Sequence, residues 1–118
     1  MRHANRGRKF GLKRGKRRAF LRTLAGNFVR SERILTTEAR ARELRPIVEK
    51  LVTRAKKQDV AALRLLLERL PKAAAFKLYH EIAGRYANRR GGYVRIVKQA
   101  KRRKNDAAPL AVLEFVEA

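Results

Sequence analysis

The chain has 118 residues and carries 32 Lys and Arg against 10 Asp and Glu, a formal charge of +22. No cysteine occurs, which excludes disulfide scaffolds, thiol nucleophiles and cysteine-based zinc sites. No run approaches the roughly 18 apolar residues of a membrane span, and Met1-Arg2-His3-Ala4-Asn5-Arg6 is not followed by an apolar signal core, so a cytoplasmic location is expected.

Residues 1–31 hold eleven Lys and Arg and no acid. Gly7, Gly11 and Gly15 punctuate the first half of this block, too densely for a helix. Residues 1–15 therefore read as an extended basic arm, disordered alone and ordered by a polyanionic partner. A single domain spanning 16–118 follows. At this length about two-thirds of the unfolded surface can be buried, so a real core is available.

From Lys16 the period becomes helical, with Phe20, Leu21, Leu24 and Phe28 on one stripe. This helix is expected to end near residues 30–32. Ile34-Leu35-Thr36 is a short strand candidate. Thr37 then caps a second helix over about 38–57, with Glu38 in its positive first turn. Leu44, Ile47, Val48, Leu51, Val52 and Ala55 form its stripe, and Pro46 sits inside it. Asp59 caps a third helix bearing Leu63, Leu66, Leu67 and Leu70, which Pro71 stops. A fourth carries Ala75, Leu78, Tyr79 and Ile82.

Gly91-Gly92 ends the helical region. Two strand-forming runs remain, 93–97 and 110–116, separated by a polar, basic stretch. They predict a β-hairpin with a long basic loop over 101–109, whose Val94, Ile96, Leu113 and Phe115 share one face and cover the helices. The fold class is therefore α+β: a two-layer α/β domain of helix, short strand, three helices and hairpin. The short strand is a candidate third member of the sheet.

Catalytic chemistry is not visible. His3 and His80 are the two histidines, and neither has a partner at ligand spacing. His80 reads as a surface residue of a helix. Acids stand singly beside Lys or Arg, as salt-bridge partners do. No cofactor, metal or small-molecule substrate is implied.

Binding chemistry is visible. The second basic block, 85–104, has nine Lys and Arg and no acid. Guanidinium groups present parallel donors to phosphate and stack on bases. Tyr93, directly after the Gly pair, has two readings: a stacking platform for an exposed base, or an aromatic covering the hairpin edge. Charge alone does not separate RNA from DNA. An irregular arm and a long loop suit folded RNA, and no helix-turn-helix or sustained heptad is present. A DNA-compacting protein is the alternative. A membrane-active peptide fits poorly because the charge is not on one amphipathic helix.

Four segments carry a resemblance over essentially the whole chain. They are Met1-Arg2-His3 with Gly7-Arg8-Lys9, Thr36-Thr37-Glu38-Ala39-Arg40-Ala41-Arg42-Glu43-Leu44-Arg45, Arg90-Gly91-Gly92-Tyr93-Val94-Arg95, and Asn105-Asp106-Ala107-Ala108-Pro109-Leu110-Ala111. In this order they resemble the bacterial large-subunit ribosomal protein family L-seventeen. Val94 stands where that family has Thr, and Asn105 where it has Gly.

The resemblance implies a non-enzymatic structural protein of the large ribosomal subunit, packed on ribosomal RNA near the peptide exit tunnel beside other ribosomal proteins, with no membrane partner. The expected RNA-binding residues in the arm and first helix are Arg2, His3, Arg6, Arg8, Lys9, Lys13, Arg14, Lys16, Arg17, Arg18 and Arg22. Arg40 and Arg45 follow on the second helix. Arg89, Arg90, Tyr93, Arg95 and Lys98 are expected on the hairpin, with Lys101, Arg102, Arg103 and Lys104 in its loop.

Overall fold

A computed structural model describes residues 13–117. The elements run α1 (Arg14–Ser31), β1 (Arg33–Thr37), α2 (Glu38–Ala55), α3 (Val60–Arg69), α4 (Lys72–Lys77), a π-helical turn (Leu78–Ile82), α5 (Ala83–Arg85), β2 (Val94–Arg102) and β3 (Pro109–Phe115). The α+β order expected from periodicity is the order observed. α1 takes in Arg14 and Gly15, slightly earlier than Gly spacing indicates. A Cβ at Gly15 would meet nothing within 4 Å, so this end of the helix is open to solvent. The rest of the arm, 1–12, lies outside the described residues.

Local chemistry sets the boundaries. Thr37 Oγ1 accepts from the Arg40 N–H at 3.3 Å, and Asp59 Oδ1 accepts from the Ala62 N–H at 2.7 Å. Each side chain satisfies a donor that the first helical turn leaves orphaned. α2 runs through Pro46 as one continuous helix. α1 stops where Glu32 turns left-handed (φ 65°) and its N–H bonds back to the Phe28 carbonyl.

The three strands form an antiparallel sheet in the order β1-β3-β2. The short strand does join the hairpin, and it does so against β3. Ile34 faces Leu113, which faces Ile96, and Val94 faces Phe115. Since side chains alternate along a strand, this row lies on the helix side. β2 continues to Arg102 past an irregularity between Lys98 and Arg102, so the loop is shorter than the expected 101–109.

One core joins the layers. Leu44, Val48 and Val52 of α2 are fully buried with Phe28, Val29, Leu66, Leu70 and Leu113. The Phe28 and Phe115 rings stack at 4.6 Å, and Tyr86 lies 5.2 Å from Tyr93. The Tyr86 hydroxyl donates to the Val116 carbonyl. Gly26 is buried, and a Cβ there would sit 2.8 Å from the ring carbons of Pro71. Its missing side chain is what lets α1 lie against the α3–α4 junction.

Candidate nucleic-acid interface

α1 begins with an electrostatic conflict. Its first turns carry Arg14, Lys16, Arg17 and Arg18, with no acid and no side-chain cap. A helix N-terminus is the positive end of the macrodipole, so cations there are unfavourable until an anion arrives. Among the described residues no ion pair involves Lys13, Arg14, Lys16, Arg17 or Arg18.

Arg22 differs. Its guanidinium donates to the Leu70 carbonyl at 3.0 Å, closing the C-terminal end of α3 and fixing its own orientation. The two helix-borne candidates on α2 are also held. The Arg40 guanidinium lies 5.0 Å above the Phe20 ring, a cation–π contact, and forms no ion pair among the described residues. Arg45 reaches Glu49 at 3.5 Å across one helical turn. Glu49 also accepts from the Val94 N–H at 3.3 Å.

The hairpin divides its cations. Arg95 pairs with Glu114 at 2.7 Å, and Lys98 approaches Glu38 at 3.5 Å. Arg103 grips Asp106 through two nitrogens, and this guanidinium, with the Ala108 N–H, holds the Asp106 carboxyl far below the usual carboxylate range. Arg102 donates to the Ala107 carbonyl at 3.0 Å. Lys101, Lys104 and Arg90 are exposed and form no ion pair among the described residues. Arg89 folds onto the Gly91 carbonyl at 3.1 Å.

Tyr93 resolves into the second of its two readings. It is 1% exposed, its ring packs on Tyr86, and its hydroxyl accepts from Lys56 Nζ at 3.0 Å. No face of the ring is available to a base, so Tyr93 is removed from the RNA-stacking set. The φ of +66° at Gly92 turns the chain so that Tyr93 points inward. Lys56 closes the same corner by donating to the Arg89 carbonyl.

Of the remaining expected residues, Arg2, His3, Arg6, Arg8 and Lys9 lie outside the described residues. The structure adds three cations that sequence reasoning passed over. Lys50, Arg54 and Arg69 join Arg18 and Arg22 around an open groove of about 690 Å³ between α1, α2 and α3. Their signal was present: Lys50 and Arg54 are four residues apart and so share a helix face. Glu43, Glu49 and Glu68, interspersed with these cations along the chain, mask it.

No group of three or more His, Cys, Asp or Glu among the described residues is placed to hold a metal, and no described helix is long and apolar enough to cross a membrane. Cation-rich helices on a small body of helices and an antiparallel sheet define a strongly basic α+β protein.

The particular family is given by sequence comparison. The ribosomal protein L17 family matches residues 20–116. The chain is 50% identical over 110 residues to the large ribosomal subunit protein bL17 of Desulforudis audaxviator, covering 92% of this chain and 97% of that protein. It is 47% identical over 118 residues to bL17 of Sphingopyxis alaskensis, covering 99% and 84%. With bL17 of Hydrogenobaculum sp. it shares 44% identity over 118 residues, covering 99% and 100%. The chain belongs to the ribosomal protein L17 family, a structural family and not an enzymatic one.

Proposed function

We propose that this protein is a structural constituent of the large ribosomal subunit, working in the cytoplasm within the ribosome. It binds ribosomal RNA through the basic arm, the α1 and α2 faces and the hairpin tip, beside neighbouring large-subunit proteins. The observation that carries this reading is the family match over residues 20–116. The uncompensated positive end of α1 supports it physically: phosphates arriving there relieve a repulsion the free protein bears. The family resemblance supports a position near the peptide exit tunnel.

The mechanism is electrostatic positioning. Unpaired Lys and Arg replace the counterions condensed on RNA, and their release drives association with a strong salt dependence. The buried core holds the cations of α1 and α2 at fixed separations, which sets the register of the contact. Sucrose-gradient fractions of ribosomes test the reading. The protein should co-sediment with the large subunit at one copy per particle. Its recovery mainly in nucleoid fractions after ribosomes are pelleted would favour a DNA coat instead.

A further inference from the structure

The groove between α1, α2 and α3 sets basic side chains around an apolar floor. Its rim carries Arg18, Arg22, Lys50, Arg54 and Arg69, against Glu68 as the acid. None of these six residues forms an ion pair among the described residues. Its floor is apolar, with Leu21, Ile47 and Leu65 each partly exposed. Arg22 is preset by its bond to Leu70. The groove is open to solvent and has a volume of about 690 Å³.

Cations above an apolar floor suit a ligand with two chemistries, anionic outside and apolar inside. A duplex keeps its base faces stacked and would leave the apolar floor uncovered. An unstacked nucleotide offers both, since its base is a flat apolar plate and its phosphates flank it. The cations also continue beyond the groove along α1 through Arg14 and Arg17, forming a track. Regularly spaced charge along a strand fits a track better than the few carboxylates of an acidic peptide do.

We propose that this groove seats an unstacked nucleotide from a single-stranded segment of ribosomal RNA, its base on Leu21, Ile47 and Leu65 and its flanking phosphates on the five rim cations. The inference rests on the reading that the chain binds ribosomal RNA.

The test is methyl-labelled NMR of the full chain with three probes: short single-stranded oligoadenylate, the same strand paired with oligouridylate, and a glutamate-rich peptide. The Ile47 and Leu65 methyl resonances should shift with the single strand and hardly with the duplex at equal phosphate concentration. Leu65→Asp should weaken single-strand binding about tenfold, the effect of losing one base contact. Lys50→Ala with Arg54→Ala, both exposed positions that leave the core intact, should lower the salt slope by about 1.4, or 0.7 for each phosphate lost. Equal methyl shifts with strand and duplex, or none with either, would overturn the proposal. So would larger shifts with the acidic peptide, which would identify a protein partner. The two readings separate on a large-subunit RNA fragment. If the wild type does not bind it, the ribosomal RNA reading fails. If wild type and both variants bind it alike, only the groove inference fails.

Discussion

The outer face of the sheet and the α1–α3 groove are built from the same ingredients, arginine beside exposed aliphatic side chains, with opposite electrical results. On the sheet, Arg33, Glu114 and Arg95 stand in one cross-strand row, and Glu114 reaches Arg33 at 3.2 Å and Arg95 at 2.7 Å. The next row, Leu35-Val112-Val97, is apolar, and Leu35 is 63% exposed. In the groove, five cations surround an apolar floor, and none of them forms an ion pair among the described residues. Where each charge has a partner, an approaching phosphate must displace a carboxylate. Where it has none, the phosphate displaces only mobile counterions. Pairing, rather than the number of arginines, separates the two faces.

The largest expected effect comes from removing charge on each face. Lys50→Ala with Arg54→Ala should weaken binding to a large-subunit RNA fragment by about a hundredfold, since two charged contacts contribute about 1.5 kcal/mol or more each. Arg33→Ala with Arg95→Ala should stay within about twofold, in line with the small net contribution of exposed paired charges. Filter binding at several salt concentrations compares them.

Next in size is a change that deforms one region and spares the other. Gly26→Ala places a methyl 2.8 Å from the Pro71 ring. Overpacking of this kind costs about 1–3 kcal/mol, partly offset by up to about 1 kcal/mol of better helix propensity. Urea denaturation should show a net loss of about 1–2 kcal/mol. Amide shifts should move around α1 and α3 while the β1–β3 ladder stays unchanged.

A smaller effect should convert one face toward the other. Glu114→Gln releases Arg33 and Arg95 together. Affinity for unspecific duplex RNA should rise several-fold at low salt, and the salt slope should steepen by up to about 1.8, or 0.9 per new phosphate. An unchanged slope would mean that the sheet face is screened by something other than its ion pairs.

The smallest effect is on acid stability. Glu32 is held below the usual carboxylate pKa first by its bond from Arg85, then by Lys77 at 3.1 Å. Glu114 is lowered first by Arg95 and then by Arg33. A carboxylate with a lower pKa when folded is protonated more readily when unfolded. Its contribution is therefore present above the unfolded value, about 4.3, and is lost as pH falls through the folded value. Melting temperature should be flat down to about pH 5 and should fall below about pH 4.3, and Glu32→Gln should shallow that fall. Solvent exposure of these pairs keeps the change to a few degrees at most.

Sequence reasoning found what is local and missed what is assembled. Thr37 and Asp59 were readable as caps because the donor each satisfies lies three residues away. The stripe of α2 was readable because its burial follows the helical period. The π turn at Leu78–Ile82 was not. Gln58 of the α2–α3 connection donates to the Tyr79 carbonyl at 2.8 Å, a contact 21 residues away. The extension of β2 to Arg102 left no trace because an exposed edge strand of polar residues has no apolar alternation. Tyr93 was readable as structural or functional. Only the approach of Tyr86 and Lys56 from other elements decides between them. The groove was hidden because its cations come from three helices, two of them in a stretch whose acids mask the local excess.

Ultraviolet crosslinking of intact large subunits, followed by mass spectrometry of the peptide–nucleotide adducts, tests the central claim most directly. Adducts should concentrate on residues 14–22 of α1, on 47–54 of α2 and on 101–104 at the end of β2 and the start of the hairpin loop, and should be rare on β1 and on the outer face of β3. Adducts confined to the sheet face, with α1 and the groove unmodified, would contradict the claim that unpaired charge marks the RNA side of this protein.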